Sequence, residues 1–318
     1  MSVSYEIIRN IAVLSLKNPP LNGFSRALRT GLLSAIDRAH GEPGVEAVVV
    51  IGSGSNFSAG ADIKEFQLGG HRVSPTLGEV HLGLEQSSVP VVAALHGHAL
   101  GGGLETALAC HWRVASSDKT TRLALPEVHL GILPGAGGTQ RLPRLAGARA
   151  ALELMLSGRA VGAQEALTLN LVDALVCHRH HRDGGGRGGA KNKAQLCNGV
   201  LATDGDFLGG ALEFVEEVVL PYHLNSSNAG SGGVGFTVAS KLVRHLPPPL
   251  FVRSPADDDD TDAVSSSSSI SSSSTTTDTL ASDKNNVVSK SGNLGLATLS
   301  QVSPPVEPRF FDAAREAL

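Results

Sequence analysis

Aromatic side chains are scarce. Phe, Tyr and Trp together make up 4% of the 318 residues, with a single Trp and two Tyr. The 41% of hydrophobic residues must therefore pack a core mainly from Ala, Val, Leu and Ile. Cysteine is scarcer still. Cys110, Cys177 and Cys197 form an odd, sparse set without metal-ligand spacing, which excludes a disulfide framework and fits a reducing compartment. Neither sign of charge dominates: 26 Lys and Arg against 30 Asp and Glu leave a net charge of −4, with no global pull toward nucleic acid or an anionic membrane. No apolar run is long enough to span a bilayer. Met1-Ser2-Val3-Ser4-Tyr5-Glu6 lacks the basic and apolar regions of a secretory signal and the Arg-rich character of a mitochondrial presequence. Glu316-Ala317-Leu318 is not a Ser-Lys-Leu peroxisomal tail.

What is present reads as an α/β protein over residues 1–177. Ile7-Ile8 and Ile11–Leu16 predict a hairpin turning at Arg9-Asn10. Ser25 is placed to cap a helix whose apolar positions, Leu28, Leu32, Ala35, Ile36 and Ala39, follow the 3.6-residue period. Ala47–Ile51 and Pro90–Leu95 read as short buried strands, and strands alternating with helices argue for crossover connections. The composition changes near residue 178. Residues 178–250 read as a flexible loop followed by helical segments at 206–222 and 237–246. Residues 251–307 contain an Asp run and a Ser/Thr tract, too polar to offset the entropy of ordering, and are expected to be a disordered insert. Residues 308–318 resemble the start of a helix that is cut short.

Three segments carry chemistry. In Phe57-Ser58-Ala59-Gly60-Ala61-Asp62-Ile63-Lys64, small residues after a strand let a ligand lie against the main chain. Asp62 can cap the next turn, and the Ala61 N–H can face a ligand oxygen. Gly101-Gly102-Gly103-Leu104-Glu105 opens a helix, where N–H groups are unpaired and partly positive. Placed together, the Ala61 and Gly102 N–H groups would form a two-donor oxyanion hole. Glu127 stands between Pro126 and Val128, and apolar surroundings would raise its pKa and suit it to donate a proton. Taken singly, each has a plainer reading: a strand-to-helix turn, close helix–sheet packing, a salt-bridged glutamate. Neither glycine run is a dinucleotide fingerprint or a P-loop.

Together, these segments resemble the crotonase (enoyl-CoA hydratase/isomerase) superfamily. Lys17-Asn18-Pro19-Pro20-Leu21-Asn22, Leu125-Pro126-Glu127-Val128 and Gln140–Gly147 are most similar to the N-terminal hydratase/isomerase half of peroxisomal bifunctional β-oxidation enzymes. The resemblance implies a spiral of ββα repeats with two roughly perpendicular sheets, followed by C-terminal helices. It implies catalysis by Glu105 and Glu127, an oxyanion hole from Ala61 and Gly102, and substrate contacts along Ala59, Gly60, Asp62, Ile63 and Lys64 and near Gly135. The expected reaction is hydration of a trans-2-enoyl-CoA, by syn addition, to a 3S-hydroxyacyl-CoA in fatty acid β-oxidation. It needs no metal or other cofactor, coenzyme A being part of the substrate. The implied partners are an acyl-CoA thioester and either a homotrimer or a larger multifunctional chain, with no nucleic acid. The implied compartment is the peroxisome, with cytoplasm and mitochondrion as alternatives. After residue 177 the chain departs from the family pattern, as a fragment, an incomplete chain or a diverged member would.

Three other functions stand as alternatives. A 3-enoyl to 2-enoyl isomerase needs the oxyanion hole and one carboxylate. A non-catalytic binding protein could use the Arg/Gly run at 182–189 to contact RNA. A fragment unable to close its pocket would be inactive. His96, His129, Trp112, Phe57 and Cys110 read as packing residues, and His178, His180 and His181 as no designed metal site.

Overall fold

The computed structural model describes residues 2–178 and 196–223. The expectations for residues 179–195, 237–246, 251–307 and 308–318, including the Arg/Gly run, lie outside the described residues.

The chain opens with strands β1 (Val3–Ile8) and β2 (Ile11–Leu16), paired antiparallel with Ile8 opposite Ile11. Arg9 and Asn10 both take positive φ, 52° and 62°, as a two-residue turn matched to the strand twist requires. Helix α1 (Arg26–Gly41) follows. Its N-cap Ser25 accepts the Leu28 N–H at 3.3 Å, and the five predicted apolar positions are all buried. Arg29 is buried among them, its guanidinium donating to the Phe24, Gly70, Val73 and Pro75 carbonyls and pairing with Glu65. Then come β3 (Ala47–Gly52), α2 (Ile63–Gln67), a 3₁₀ turn (Gly70–Arg72), α3 (Leu77–Glu85), β4 (Val91–Leu95), β5 (His98–Leu100) and α4 (Gly102–Ala109). The middle of the chain supplies β6 (Trp112–Ser116), β7 (Arg122–Ala124), a second 3₁₀ turn (Pro126–Leu130), α5 (Gly138–Ala146), α6 (Ala148–Ser157), β8 (Val161–Gly162), α7 (Ala163–Thr168) and β9 (Ala174–His178). The final described stretch holds β10 (Leu196–Cys197), β11 (Val200–Thr203) and α8 (Phe207–Phe214), which continues as a π-helical turn (Val215–Val219).

Among the described residues the strands form two sheets. One has eight strands in the order β1-β2-β3-β4-β6-β9-β11-β10, and the other has three, β5-β7-β8. From β2 to β11 the large sheet is parallel, and a parallel sheet is buried on both faces. Side-chain alternation divides its residues cleanly. Ala12, Leu14, Val48, Val50, Val91 and Ala93 join one core with the apolar face of α1. Ile11, Val13, Ala47, Val49, Val92 and Ala94 join a second core with Trp112 and with Ala211, Leu212, Phe214, Val215 and Val219.

The second core shows how the sheet continues past the compositional change near residue 178. β9 itself ends at His178, and Leu196–Cys197 and Val200–Thr203 are paired strands. α8 covers the face that would otherwise lie open. The hairpin joining β10 to β11 turns at Asn198 and Gly199, φ 50° and 76°. This differs from the flexible loop expected for the stretch, and the physical reason is local: Asn-Gly flanked by apolar residues is the strongest short-range hairpin signal.

Candidate active site

The segment after β3 runs beside β5 as an irregular extra strand. Phe57 and Ser58 donate to the carbonyls of His96 and His98, and Leu100 donates back to Ser58. On its other side Ala59 donates to Leu21, and Phe24 donates to Gly60. Gly103 allows the approach, because a Cβ there would fall on the Ser58 carbonyl oxygen. This pairing delivers Ala61 to the start of α4. A Cβ on Gly60 would lie 3.4 Å from the Gly102 nitrogen, and one on Gly102 would lie 3.7 Å from the Ala61 nitrogen. Two main-chain donors thus stand side by side, and among the described residues no backbone acceptor takes either.

The neighbouring residues hold these donors in place. Gly60 N–H donates to Ser58 Oγ at 3.2 Å. Asp62 is the N-cap of α2 and accepts the Glu65 N–H at 3.1 Å. Ile63 and Lys64 are exposed at the start of α2.

Glu105 lies in the first turn of α4 and is 2% exposed. Its Oε1 accepts two backbone N–H groups, from Ala136 and Gly138, each at 2.8 Å. These belong to the Pro134–Gly138 run that leads into α5, whose N-cap Gly137 offers no side chain. Glu105 therefore serves as the anion at the N-terminus of α5. Burial is the largest effect and leaves its pKa above the ordinary carboxylate value, although the two N–H donors and the Arg141 guanidinium pull it back down.

Glu127 is carried on the second 3₁₀ turn, which Gly131 ends in the left-handed region. Its carboxylate leans over the N-cap of α4: a Cβ on Gly101 would lie 2.9 Å from Glu127 Oε1. Its Oε2 is buried with no hydrogen-bond partner. Burial, then the charge of Glu105, push its pKa up to about 7, against the opposing pull of its own backbone N–H. The two carboxyl groups thus differ in kind. Both are desolvated, but two N–H donors brace Glu105, whereas Glu127, with its Oε2 unpartnered, holds a proton near neutral pH.

The structure therefore gathers Ala61, Gly102, Glu105 and Glu127 around the N-terminus of one helix. Gly135 is exposed, with open space where a Cβ would point. The sequence reading missed that Ala136 and Gly138 hold Glu105. The glycine run is the available signal, and by itself it marks a lining for substrate and not a brace for a carboxylate. His96 binds the Gly52 carbonyl at 3.0 Å and meets the Phe207 ring, so it is a packing residue. His129 is exposed beside Gly158. Phe57 and Trp112 are buried, and burial pushes the Cys110 thiol up to about 12. Among the described residues, no group of three or more His, Cys, Asp or Glu could hold a metal, and no helix is long and apolar enough to cross a membrane.

The sequence profile described as enoyl-CoA hydratase/isomerase matches residues 6–182. A peroxisomal bifunctional enzyme of Danio rerio is 51% identical over 173 residues, 54% of this chain and 24% of that protein. A probable enoyl-CoA hydratase of Bacillus subtilis is 46% identical over 176 residues, 54% of this chain and 67% of that protein. Among solved structures, an enoyl-CoA hydratase from Bacillus anthracis is similar with a TM-score of 0.52 and 38% identity, covering 56% of this chain and 70% of that one. The match thus spans about a quarter of the bifunctional relative. The resemblance drawn from the motifs agrees with these matches.

Proposed function

This chain belongs to the enoyl-CoA hydratase/isomerase family, and from that premise we propose that it adds water across the double bond of a trans-2-enoyl-CoA. The thioester oxygen accepts the Ala61 and Gly102 N–H groups, which stabilise the negative charge that develops there. Glu105, braced as a carboxylate, takes a proton from water as the water oxygen bonds to carbon 3. Glu127, the proton holder, protonates carbon 2. The product is a 3-hydroxyacyl thioester, and a proton passes from Glu105 back to Glu127 through solvent to complete the cycle. The reaction is redox-neutral and draws on no cofactor.

The observation that carries this reading is the unequal supply of donors to two buried carboxyl groups beside a pair of free N–H groups. Pairs of titratable groups held in different environments mark the acid and the base. The test is hydration in ¹⁸O-labelled water: one ¹⁸O must appear in the hydroxyl on carbon 3, and its absence contradicts the reading.

A second reading rests on the unpartnered Oε2 of Glu127. One carboxyl group with a free oxygen can shuttle a proton between carbons 4 and 2, shifting a 3-enoyl to a 2-enoyl double bond. Incubation with a 3-enoyl-CoA, followed by product analysis, separates the two reactions. The relatives named peroxisomal support a peroxisomal setting, which colocalisation of a tagged full-length protein with a peroxisomal marker tests.

A further inference from the structure

One buried titratable group near the site has no part in the proposed chemistry. His81 is in α3, fully buried. Its Nδ1 lies 2.9 Å from the Ala136 carbonyl oxygen and its Nε2 lies 3.0 Å from Thr106 Oγ1. A carbonyl only accepts, so Nδ1 carries the proton. Burial, then the Arg141 guanidinium, hold the ring pKa down to about 3, so the ring is neutral and Nε2 is an acceptor. The Thr106 hydroxyl has two acceptors in reach, Nε2 and the Gly102 carbonyl at 2.7 Å. The Nδ1–H bond to Ala136 is therefore the one contact of the ring whose proton has no alternative.

That carbonyl sits on the peptide between Ala136 and Gly137, midway between the two N–H donors that brace Glu105. The run is glycine-rich, with Gly137 at φ +101°, so it has little stiffness of its own. Its orientation must come from outside. Two donors converge on the oxygen: His81 Nδ1–H, and Arg141 Nη1 at 2.9 Å, whose Nε pairs with Glu85 of α3. Both lone pairs of the carbonyl are then filled and the peptide plane is fixed.

We propose that His81 is a positioning residue which, by clamping the Ala136–Gly137 peptide, aims the Ala136 and Gly138 N–H groups at Glu105 and keeps that residue a carboxylate. The proposal rests on Glu105 being the base of the hydration reaction. The charged groups that act on Glu105 are Arg141 from α5 and Glu127 from the second 3₁₀ turn; α3, packed behind the glycine run, brings His81 to the Ala136 carbonyl and Glu85 to Arg141. His81 is neutral, so its effect passes through the peptide and not through charge.

Two substitutions separate the ring nitrogens. Asn at position 81 places an amide donor near the place of Nδ1, and Gln places one near that of Nε2. Glu105 is followed by ¹³C NMR of protein labelled at the glutamate carboxyls, with its signal assigned by loss in Glu105→Gln. In His81→Gln, Glu105 titrates at higher pH than in the wild type, the acidic limb of the kcat profile moves up with it, and kcat falls roughly ten- to a hundredfold, the scale of a small misplacement at a reacting centre. In His81→Asn the titration and the limb stay at their wild-type positions. An unmoved titration in His81→Gln, or an equal shift in His81→Asn, overturns the proposal. A check free of folding effects is ¹⁵N NMR of the wild-type imidazole, which must show a neutral ring protonated on Nδ1; a proton on Nε2 overturns it. If the wild type hydrates no enoyl-CoA, the hydratase reading fails, while the carboxyl titration and the ring tautomer still decide the role of His81.

Discussion

Glu105 and Glu127 meet at the start of one helix with opposite hydrogen-bond supplies. Oε1 of Glu105 takes two backbone N–H groups, whereas Oε2 of Glu127 is buried and takes none. The assignment of base and acid follows from that asymmetry, as do the first two predictions.

Glu127 should make the fold less stable as pH rises. Its folded pKa of about 7 exceeds the ordinary 4.5, so the native state binds its proton more tightly than the unfolded chain does. The stability this confers is full below about pH 4.5 and is lost as pH rises to about 7. Glu127→Gln stays neutral throughout. Thermal unfolding at pH 5 and pH 8 should therefore show the variant gaining on the wild type at the higher pH. An equal difference at both values contradicts the buried, raised carboxyl.

The rate should follow the same two groups. kcat/KM for an enoyl-CoA falls on the alkaline side as Glu127 loses its proton, with a limb near pH 7, and falls on the acid side as Glu105 gains one. A profile that stays flat from pH 6 to pH 9 argues against Glu127 as the proton donor.

Gly101 lies close against the Glu127 carboxyl. It adopts φ 49° and ψ −126°, and a Cβ there would press on Glu127 Oε1 at 2.9 Å. Gly101→Ala should lower stability by about 1–3 kcal/mol and depress kcat by displacing the Glu127 carboxyl. Denaturant unfolding and steady-state kinetics measure the two effects separately; full activity in the folded variant contradicts the placement of Glu127.

Asp62 is proposed to serve the substrate through the cap it makes, since its carboxylate accepts the Glu65 N–H. Asp62→Asn retains an N-capping side chain and should behave as the wild type. Asp62→Ala should cost about 1 kcal/mol and raise KM by loosening the turn after Ala61. Equal losses in both variants point to a role for the charge itself.

Local signals made much of this legible in the sequence. The Arg9-Asn10 turn, the Ser25 cap and the apolar face of α1 each depend on residues a few positions apart, and each is found where the pattern puts it. Contacts that close over long separations were not legible. Arg29 looks like a solvent-facing helix position until Glu65 and the carbonyls at Gly70, Val73 and Pro75 fold around it. The brace on Glu105 comes from residues 31 and 33 positions away. His81 reaches Ala136 across 55 positions. Periodicity marks which face of a helix is buried but does not name its polar partners. The change in composition near residue 178 hid the strand pair β10–β11; the helix expected over 206–222 is present as α8 and its π-helical continuation, but its place on the second face of the sheet is a long-range contact that the helical period does not reveal.

The most direct test is the loss of ultraviolet absorbance of a conjugated trans-2-enoyl-CoA thioester, followed with the wild type, Glu105→Gln and Glu127→Gln at neutral pH. The wild type should consume the chromophore, and each variant, folded, should be slower by roughly two or more orders of magnitude. A wild type that leaves the absorbance unchanged, or a variant as fast as the wild type, contradicts hydration by this pair of glutamates.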